Sequence, residues 1–528
     1  METREQEAKL QLFLEWLQVN KVELRGCNIK RCDSTKGFGI FSSNNVSDGV
    51  LLVVPLDLAI SPMRVLQDPI LGPECRAVWG EGEVDDRFLM TLFLMVERLR
   101  RNSPWKPYLD MLPTTFGNPL WFSDDELQEL KGTTLYQATV LQLLKHNICH
   151  HRANSIFWSR ALNIPLPRSY VFLQALGGPE SRLLDSENIS GASNSEICSN
   201  VLTSEVETLA NGMASSSTQE ETVWVEGLIP GIDFCNHATW EVDGSGSTTG
   251  VPCSMYLLSA VEGSFQVERE VSISYGDKGN EELLYLYGFV MDNNHDDYLM
   301  VHYPAEALQN VPFSDTKAQL LQAQKAELRC LLPKSLLNCG FFPMSASKVS
   351  EDGKSTGARS CSYSWSGQRS APSYLDKLVF PENFLTALRT IAMQEDEFYH
   401  VSSLLEELVG PEGERQLSDS EVQAAVWEAC GDSGAFQLLV DLLQTKMLDL
   451  VEGSGTEDQD TELLEKACVE DNLEVQTSNE DTNGSSEKVM MSRNRWSSIV
   501  YRRGQKQLTG LFLKEAEHAL QLSLTESN

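Results

Sequence analysis

IPGIDFCNHA (residues 229–238) and SYGDKGNEELLYLYGFV (274–290) carry the densest grouping of chemically special residues in this chain of 528. The first is an apolar run that closes on Asp233, Cys235, Asn236 and His237. The second leaves the strand-like VSIS (271–274) through a glycine turn and enters a short helix, with Tyr275 at the turn and Tyr287 near the helix end. An amide and an imidazole at the end of an apolar run can serve a ligand. They can equally tie down a loop through backbone hydrogen bonds, and the residue types alone leave both readings open.

Working outward, residues 7–19 repeat apolar side chains at helical spacing, and Val22–Val54 reads as short strands broken by glycine and asparagine turns. The Gly37-Phe38-Gly39 turn lacks the third glycine of a dinucleotide fingerprint and sits between strands, which argues against Rossmann-type binding. Residues 85–101 predict an amphipathic helix closed by Pro104, after which WKPYLDMLP (105–113) stops regular structure. SDDE (123–126) has the form of a capping box, and helices are expected through 135–144 and on to Trp158. His146 and His150 stand four apart on that helix but have no carboxylate between them, so an ordinary helix face is expected and no metal site.

Residues 177–221 turn to Ser, Asn, Gly and Glu, the composition of a long flexible excursion, and Glu241–Cys253 is a second loose stretch before the strand-like MYLLSAV. From Pro304 onward helices dominate, interrupted at 345–373 and by an acidic tract at 452–487. RNRWSSIVYRRGQKQ (493–507) is basic within an acidic protein, which suggests a helix surface shielding that tract with its aromatics packed inward.

Asp and Glu outnumber Lys and Arg by 76 to 42, a net charge of -34, which disfavours a general grip on nucleic acid or an anionic membrane. The longest apolar stretch, near Leu51–Leu58, is too short to span a bilayer. Twelve cysteines are scattered without CxxC pairs, indicating a reducing compartment and neither a disulfide frame nor a zinc module. The opening METREQEAKLQLFLEWLQVN has no signal or transit character, so a cytoplasmic and/or nuclear location is expected.

Five motifs taken in order resemble one family. They are STKGFGIFSS (34–43), WKPYLDMLPTTF (105–116), FWSRAL (157–162), IPGIDFCNHA and SYGDKGNEELLYLYGFV. The set is similar to the SET-domain protein methyltransferases of the Rubisco large-subunit methyltransferase type, from about Leu10 to YRRGQKQL (501–508). The resemblance implies an α+β chain: a β-rich SET domain with a helical insert, followed by an all-α C-terminal domain. Residues 1–84 then form the N-terminal helix and first part of the SET domain, 85–176 the helical insert and 177–222 a disordered acidic insertion. Residues 223–303 form the remainder of the SET domain, and 304–528 a helical substrate-binding domain with disordered insertions at 345–373 and 452–487.

The same resemblance implies S-adenosyl-L-methionine as cofactor, with Lys36, Gly37 and Phe38 forming the turn whose backbone approaches it. A side-chain-free glycine suits such an approach. It further implies that Arg160 contacts the cofactor or the target region, that Asn236 and His237 hold the cofactor's polar end, and that the Asp233 carbonyl helps seat the target amine. Tyr275 matches the catalytic tyrosine, which also borders the cofactor, and Tyr287 the second active-site aromatic on the substrate side. A second arginine that some members place just after the first is replaced by Asn163 and Ile164. The zinc-binding cysteine cluster that follows many SET domains is absent from the sequence, in keeping with this branch.

Methyl transfer to an amine is a one-step displacement that needs a neutral nucleophile, an in-line approach and exclusion of water. A free lysine, with a pKa of about 10.4, must be shifted by roughly 3 units, or about 4 kcal/mol, to be largely neutral near pH 7. An apolar channel and the positive charge of the cofactor both push that way. Tyr275 is therefore assigned to orientation and electrostatic support, with the amine proton lost to solvent before closure. The expected activity is protein-lysine N-methylation by a monomer acting on a protein that bears a target lysine, non-histone first and histone second. Histidine methylation is the alternative, since an actin-histidine methylating relative shares the architecture but lacks the aromatic equivalent to Tyr287. A catalytically inactive SET-fold interaction module is the third reading.

Overall fold

Strand VLLVVP (50–55) is apolar throughout, and Leu51, Leu52 and Val54 are fully buried, so it anchors a sheet covered on both faces. The computed structural model describes residues 2–32, 36–43, 49–80, 84–144, 148–167, 222–238, 246–251, 254–259, 268–344, 372–410, 415–469 and 489–526. Its contacts divide into two units, residues 1–116 with 146–276 and residues 117–145 with 277–528. Of the insertions expected at 177–222 and 345–373, residues 177–221 and 345–371 lie outside the described residues, as does the part of the acidic tract at 470–487, while Thr222 opens a strand and Ser373 a short helix.

The first unit holds strands β1 (Glu23–Leu24), β2 (Cys27–Arg31), β3 (Phe38–Ser42), β4 (Val50–Pro55), β5 (Leu162–Pro167), β6 (Thr222–Gly227), β7 (Asn236–His237), β8 (Gly246–Val251), β9 (Ser254–Ser259) and β10 (Glu270–Ile273). One sheet runs β1-β4-β9-β8, another β2-β3-β10-β7, and β5 pairs with β6. β10 lies antiparallel to β3, with Val271 opposite Ile40, and parallel to β7, with Ile273 opposite His237. That parallel pairing brings the end of the motif at 229–238 beside the strand that leads into Ser274–Gly276. β8 replaces part of the loose stretch expected at 241–253, because its Thr248-Thr249 pair is a good strand former and finds Leu257 and Tyr256 as partners.

Helix Glu2–Val19 buries Phe13 and Leu17 and ties its Trp16 indole to the Pro104 carbonyl at 2.8 Å. The amphipathic helix appears at Asp86–Leu99 with Asp85 as its cap. WKPYLDMLP does not simply stop regular structure. Lys106–Leu109 forms one helical turn, because Pro107 sits in the first turn, where a missing N–H costs nothing, and it buries Tyr108 and Leu109. Helix Ile148–Arg160 ends on Arg160, whose guanidinium reaches the Asp233 carbonyl.

In the second unit Ser123 and Glu126 make the capping box that the spacing predicts. Helices Ser314–Ala323, Glu382–Ala392, Glu395–Val409, Asp419–Ala429, Ser433–Ser454 and Arg493–Glu526 dominate, with a short antiparallel ladder between Tyr298–His302 and Arg329–Pro333. Leu299, Leu332, Phe384, Leu388, Phe436, Leu443 and Phe512 form their core. The acidic tract expected to be disordered contains helix Glu457–Lys466, started by a Thr456–Gln459 capping box. The reason is Asp460, fully buried between Arg502 and Lys506 at 2.6 Å each. The basic run thus meets the tract, and Tyr501 within it is fully buried. No helix among the described residues is long and apolar enough to cross a membrane.

Candidate functional site

The first cluster grows from Asp233. Gly231 takes φ 105°, a conformation open to glycine, and its N–H donates to Asp233 Oδ1 at 3.0 Å, which folds Ile232–Phe234 into a tight turn. Tyr108 OH donates to Asp233 Oδ2 at 2.8 Å. Arg160 Nη1 donates to the Asp233 carbonyl at 2.8 Å and lies 3.4 Å from Oδ2, with the guanidinium 4.8 Å from the Phe234 ring centre. Burial pushes the Asp233 carboxyl above its ordinary range, against the opposing pull of Arg160 and Tyr108. Burial, with the Asp233 charge beside it, pushes the Tyr108 phenol well above its usual value. Arg160 Nε is buried and has no partner among the described residues. The Asp233 carbonyl expected to seat an amine already accepts one bond from Arg160, which leaves its second lone pair for that task.

The second cluster joins the 36–38 turn to β7. Gly37 takes φ 72°, and a Cβ built there meets nothing within 4 Å, so the turn shows an open face. Cys32 N–H donates to the Gly37 carbonyl at 2.7 Å and closes the turn, and Phe38 packs half-buried on the core. Lys36 Nζ pairs with Glu270 Oε2 at 2.9 Å, while Asn236 Nδ2 donates to Glu270 Oε1 at 2.6 Å and to Cys32 Sγ at 3.5 Å. Burial alone would raise the Glu270 carboxyl, but hydrogen bonds from Asn236 and Lys36 outweigh it and hold it below the usual range.

The third cluster surrounds Tyr275. Its backbone N–H donates to His237 Nδ1 at 3.1 Å, which places the ring proton on Nε2, and the two rings lie 5.1 Å apart. The Tyr275 phenol donates to the Cys235 carbonyl at 2.8 Å. With its proton so directed, the phenol oxygen serves as an acceptor. Gly276, at φ 93° and with open space before it, turns the chain away.

The first unit therefore brings Lys36, Gly37, Phe38, Arg160, Asp233, Asn236, His237 and Tyr275 together through shared hydrogen bonds and the β3-β10-β7 pairing. Tyr287 belongs to the second unit, on a widened helical turn Leu283–Tyr287, its ring 6.3 Å from Phe289. Gly288 follows at φ 80°, packed so closely that a Cβ there would lie 2.7 Å from the Gly117 carbonyl carbon. Sequence reading missed Tyr108 and Glu270. Tyr108 lies inside the WKPYLDMLPTTF motif (105–116), and that position is its only signal in the sequence. No group of three His, Cys, Asp or Glu among the described residues is placed to hold a metal, and His146 lies outside them.

No protein-family model matches the chain. The chloroplastic ribulose-1,5-bisphosphate carboxylase/oxygenase large subunit N-methyltransferase of Pisum sativum is 27% identical over 320 residues, 60% of this chain and 58% of that protein. The actin-histidine N-methyltransferase of Homo sapiens is 23% identical over 330 residues, 60% of this chain and 46% of that protein. The chain thus spans about half the length of the curated relatives it matches. Among solved structures, the SET domain of LSMT bound to lysine and AdoHcy aligns with a TM-score of 0.57 at 18% identity, over 98% of this chain and 92% of that one. Rubisco LSMT bound to AdoMet aligns at 0.56, also at 18% identity, over 98% and 93%. The motifs and these alignments converge, and the chain has the SET-domain fold of the Rubisco large-subunit methyltransferase type.

Proposed function

We propose that this chain is an S-adenosylmethionine-dependent protein N-methyltransferase that acts on a lysine side chain. The observation that carries the reading is the Tyr275 phenol, held by its own donated bond to the Cys235 carbonyl at 2.8 Å, two residues along the chain from the Asp233 carbonyl. Such a wall offers carbonyl and hydroxyl oxygens to an amine, while the nearby Asp233 carboxylate is committed to Tyr108, Arg160 and Gly231. An amine met by neutral acceptors is not forced to stay protonated, whereas one met by a bare carboxylate is.

The residues fit the cofactor on two counts: the Gly37 turn has an open face, and Asn236 Oδ1 accepts from no described residue although its Nδ2 is tied down. Lys36, Gly37, Phe38, Asn236 and His237 would hold it, with Arg160 beside the target region. When bound, the cofactor supplies a methyl group activated by the sulfonium charge. The chain's own contribution is to orient the amine with Tyr275 and the Asp233 carbonyl, and to exclude water. Carbonyl and phenol oxygens also make weak C–H contacts to a polarised methyl.

Tyr287 supports lysine over histidine. The partner is a protein selected by the helical region from residue 304 onward, with no nucleic acid. The chain acts as a monomer in the cytoplasm and/or nucleus. The test is incubation of the purified chain with labelled S-adenosylmethionine and peptides containing lysine only or histidine only. Label on the lysine peptides is expected, label on histidine alone overturns the lysine assignment, and neither label nor cofactor binding leaves the interaction-module reading.

A further inference from the structure

We propose that Glu270 is a positioning residue of the cofactor site, one that fixes the Asn236 amide with its oxygen available and ties the 36–38 turn to the same carboxylate. This inference rests on the cofactor reading above and deepens it. A carboxylate only accepts, so the end of the Asn236 side chain lying 2.6 Å from Glu270 Oε1 must be the Nδ2 donor. The amide cannot flip while that bond stands. Its Oδ1 is left as an acceptor for a donor such as the ammonium group of an amino-acid ligand, and it accepts from no described residue. The other oxygen, Oε2, takes Lys36 Nζ at 2.9 Å, and the Glu270 side chain is 22% exposed. One carboxylate therefore holds β7 and the turn between β2 and β3 in one arrangement.

The packing around this carboxylate is close. A Cβ on Gly39 would stand 2.5 Å from Cys32 Sγ, 3.0 Å from Asn236 Nδ2 and 3.1 Å from Glu270 Oε1. Only glycine at position 39 leaves room for the three groups to meet, so a methyl there should displace the arrangement without removing any of its chemistry.

The experiment is calorimetric binding of S-adenosylhomocysteine to the purified full chain, with thermal unfolding and steady-state kinetics on the same variants. Glu270→Gln keeps the shape but carries an amide whose own NH2 can bond the Asn236 oxygen, which permits the flip. It should weaken binding by at least tenfold and raise KM for the cofactor, with kcat changed less than threefold and Tm within about 2 °C of wild type. Asn236→Ala should lose a similar amount, and the double variant should lose clearly less than the two losses multiplied, because part of the Glu270 effect runs through Asn236 and the rest through Lys36. Gly39→Ala should weaken binding in the same way and keeps the test decisive if Glu270→Gln fails to fold. Glu270→Gln binding within threefold of wild type, or multiplicative losses in the double variant, overturns the positioning role. Failure of the wild-type chain to bind at all overturns the cofactor reading itself.

Discussion

Tyr275 spends its phenol proton on a carbonyl, and its ring stands half-buried on His237, so the role in turnover proposed for it can be tested apart from folding. Tyr275→Phe removes one hydrogen bond, worth about 0.5–1.5 kcal/mol, and keeps the ring packing. Turnover should fall by roughly 100-fold or more, the scale of losing one preorganised polar group, with cofactor affinity within a few-fold. Equal losses in Tm and turnover would mark the residue as structural. Asp297 offers a pH test. It is 5% exposed, accepts from Asn280 N–H at 2.9 Å, and burial raises its pKa from 3.8 to about 6. A folded-state pKa above the unfolded value contributes stability that is complete below about pH 4 and is lost as pH rises through about 6. Relative to Asp297→Asn, the wild-type chain should gain about 3 kcal/mol between pH 7.5 and 4, roughly two pK units at 1.36 each. Parallel denaturation curves of the two proteins at each pH read this directly, and a constant gap between them rejects it. That Asn236, His237 and Tyr275 stand near one another is readable from the ordered motifs that hold them. The place of Glu270 is not, since one acid among 76 carries no local mark and its meaning arises only when β10 pairs with β3 and β7.

At the level of elements, alternating and helical periodicities predicted the strands around 22–54, the helix over 85–101 and the capping box at Ser123, because each is set by neighbours a few residues away. Helix Glu457–Lys466 escaped the same reading because its sequence, EDQDTELLEK, looks solvated. What folds it lies some forty residues downstream, where Arg502 and Lys506 meet Asp460. With all three side chains at most 3% exposed, the cluster balances two cations against Asp460 and Glu129. Asp460→Ala leaves the buried Lys506 ammonium without its carboxylate and Arg502 with Glu129 alone, and should cost about 3–5 kcal/mol. Chemical denaturation checks the magnitude, and protection from hydrogen exchange in 457–466 should vanish first. A loss under 1 kcal/mol would mean that water reaches the two cations. Burial already lowers the Lys506 pKa, which marks how far the ammonium depends on its carboxylate.

For the whole molecule, the net charge of -34 is a property that composition alone reveals and that ion pairing leaves unchanged, since every Lys and Arg is already counted in it. A chain this acidic surrounds itself with negative potential, which speeds the approach of a basic partner and falls off with the Debye length, about 30 Å at 0.01 M and 8 Å at 0.15 M salt. If the target is a protein segment carrying lysine, its flanking Lys and Arg residues feel this field before any specific contact forms. Raising salt from about 20 to 200 mM should therefore increase KM for a Lys/Arg-rich target peptide several-fold, because steering acts on association. Salt acts on the encounter and not on the transfer step, so kcat should stay nearly unchanged. KM for a neutral peptide with the same lysine should stay flat over the same range. A salt-independent KM for the basic peptide would mean that the acidic residues serve solubility and that recognition rests on uncharged contacts in the helical region.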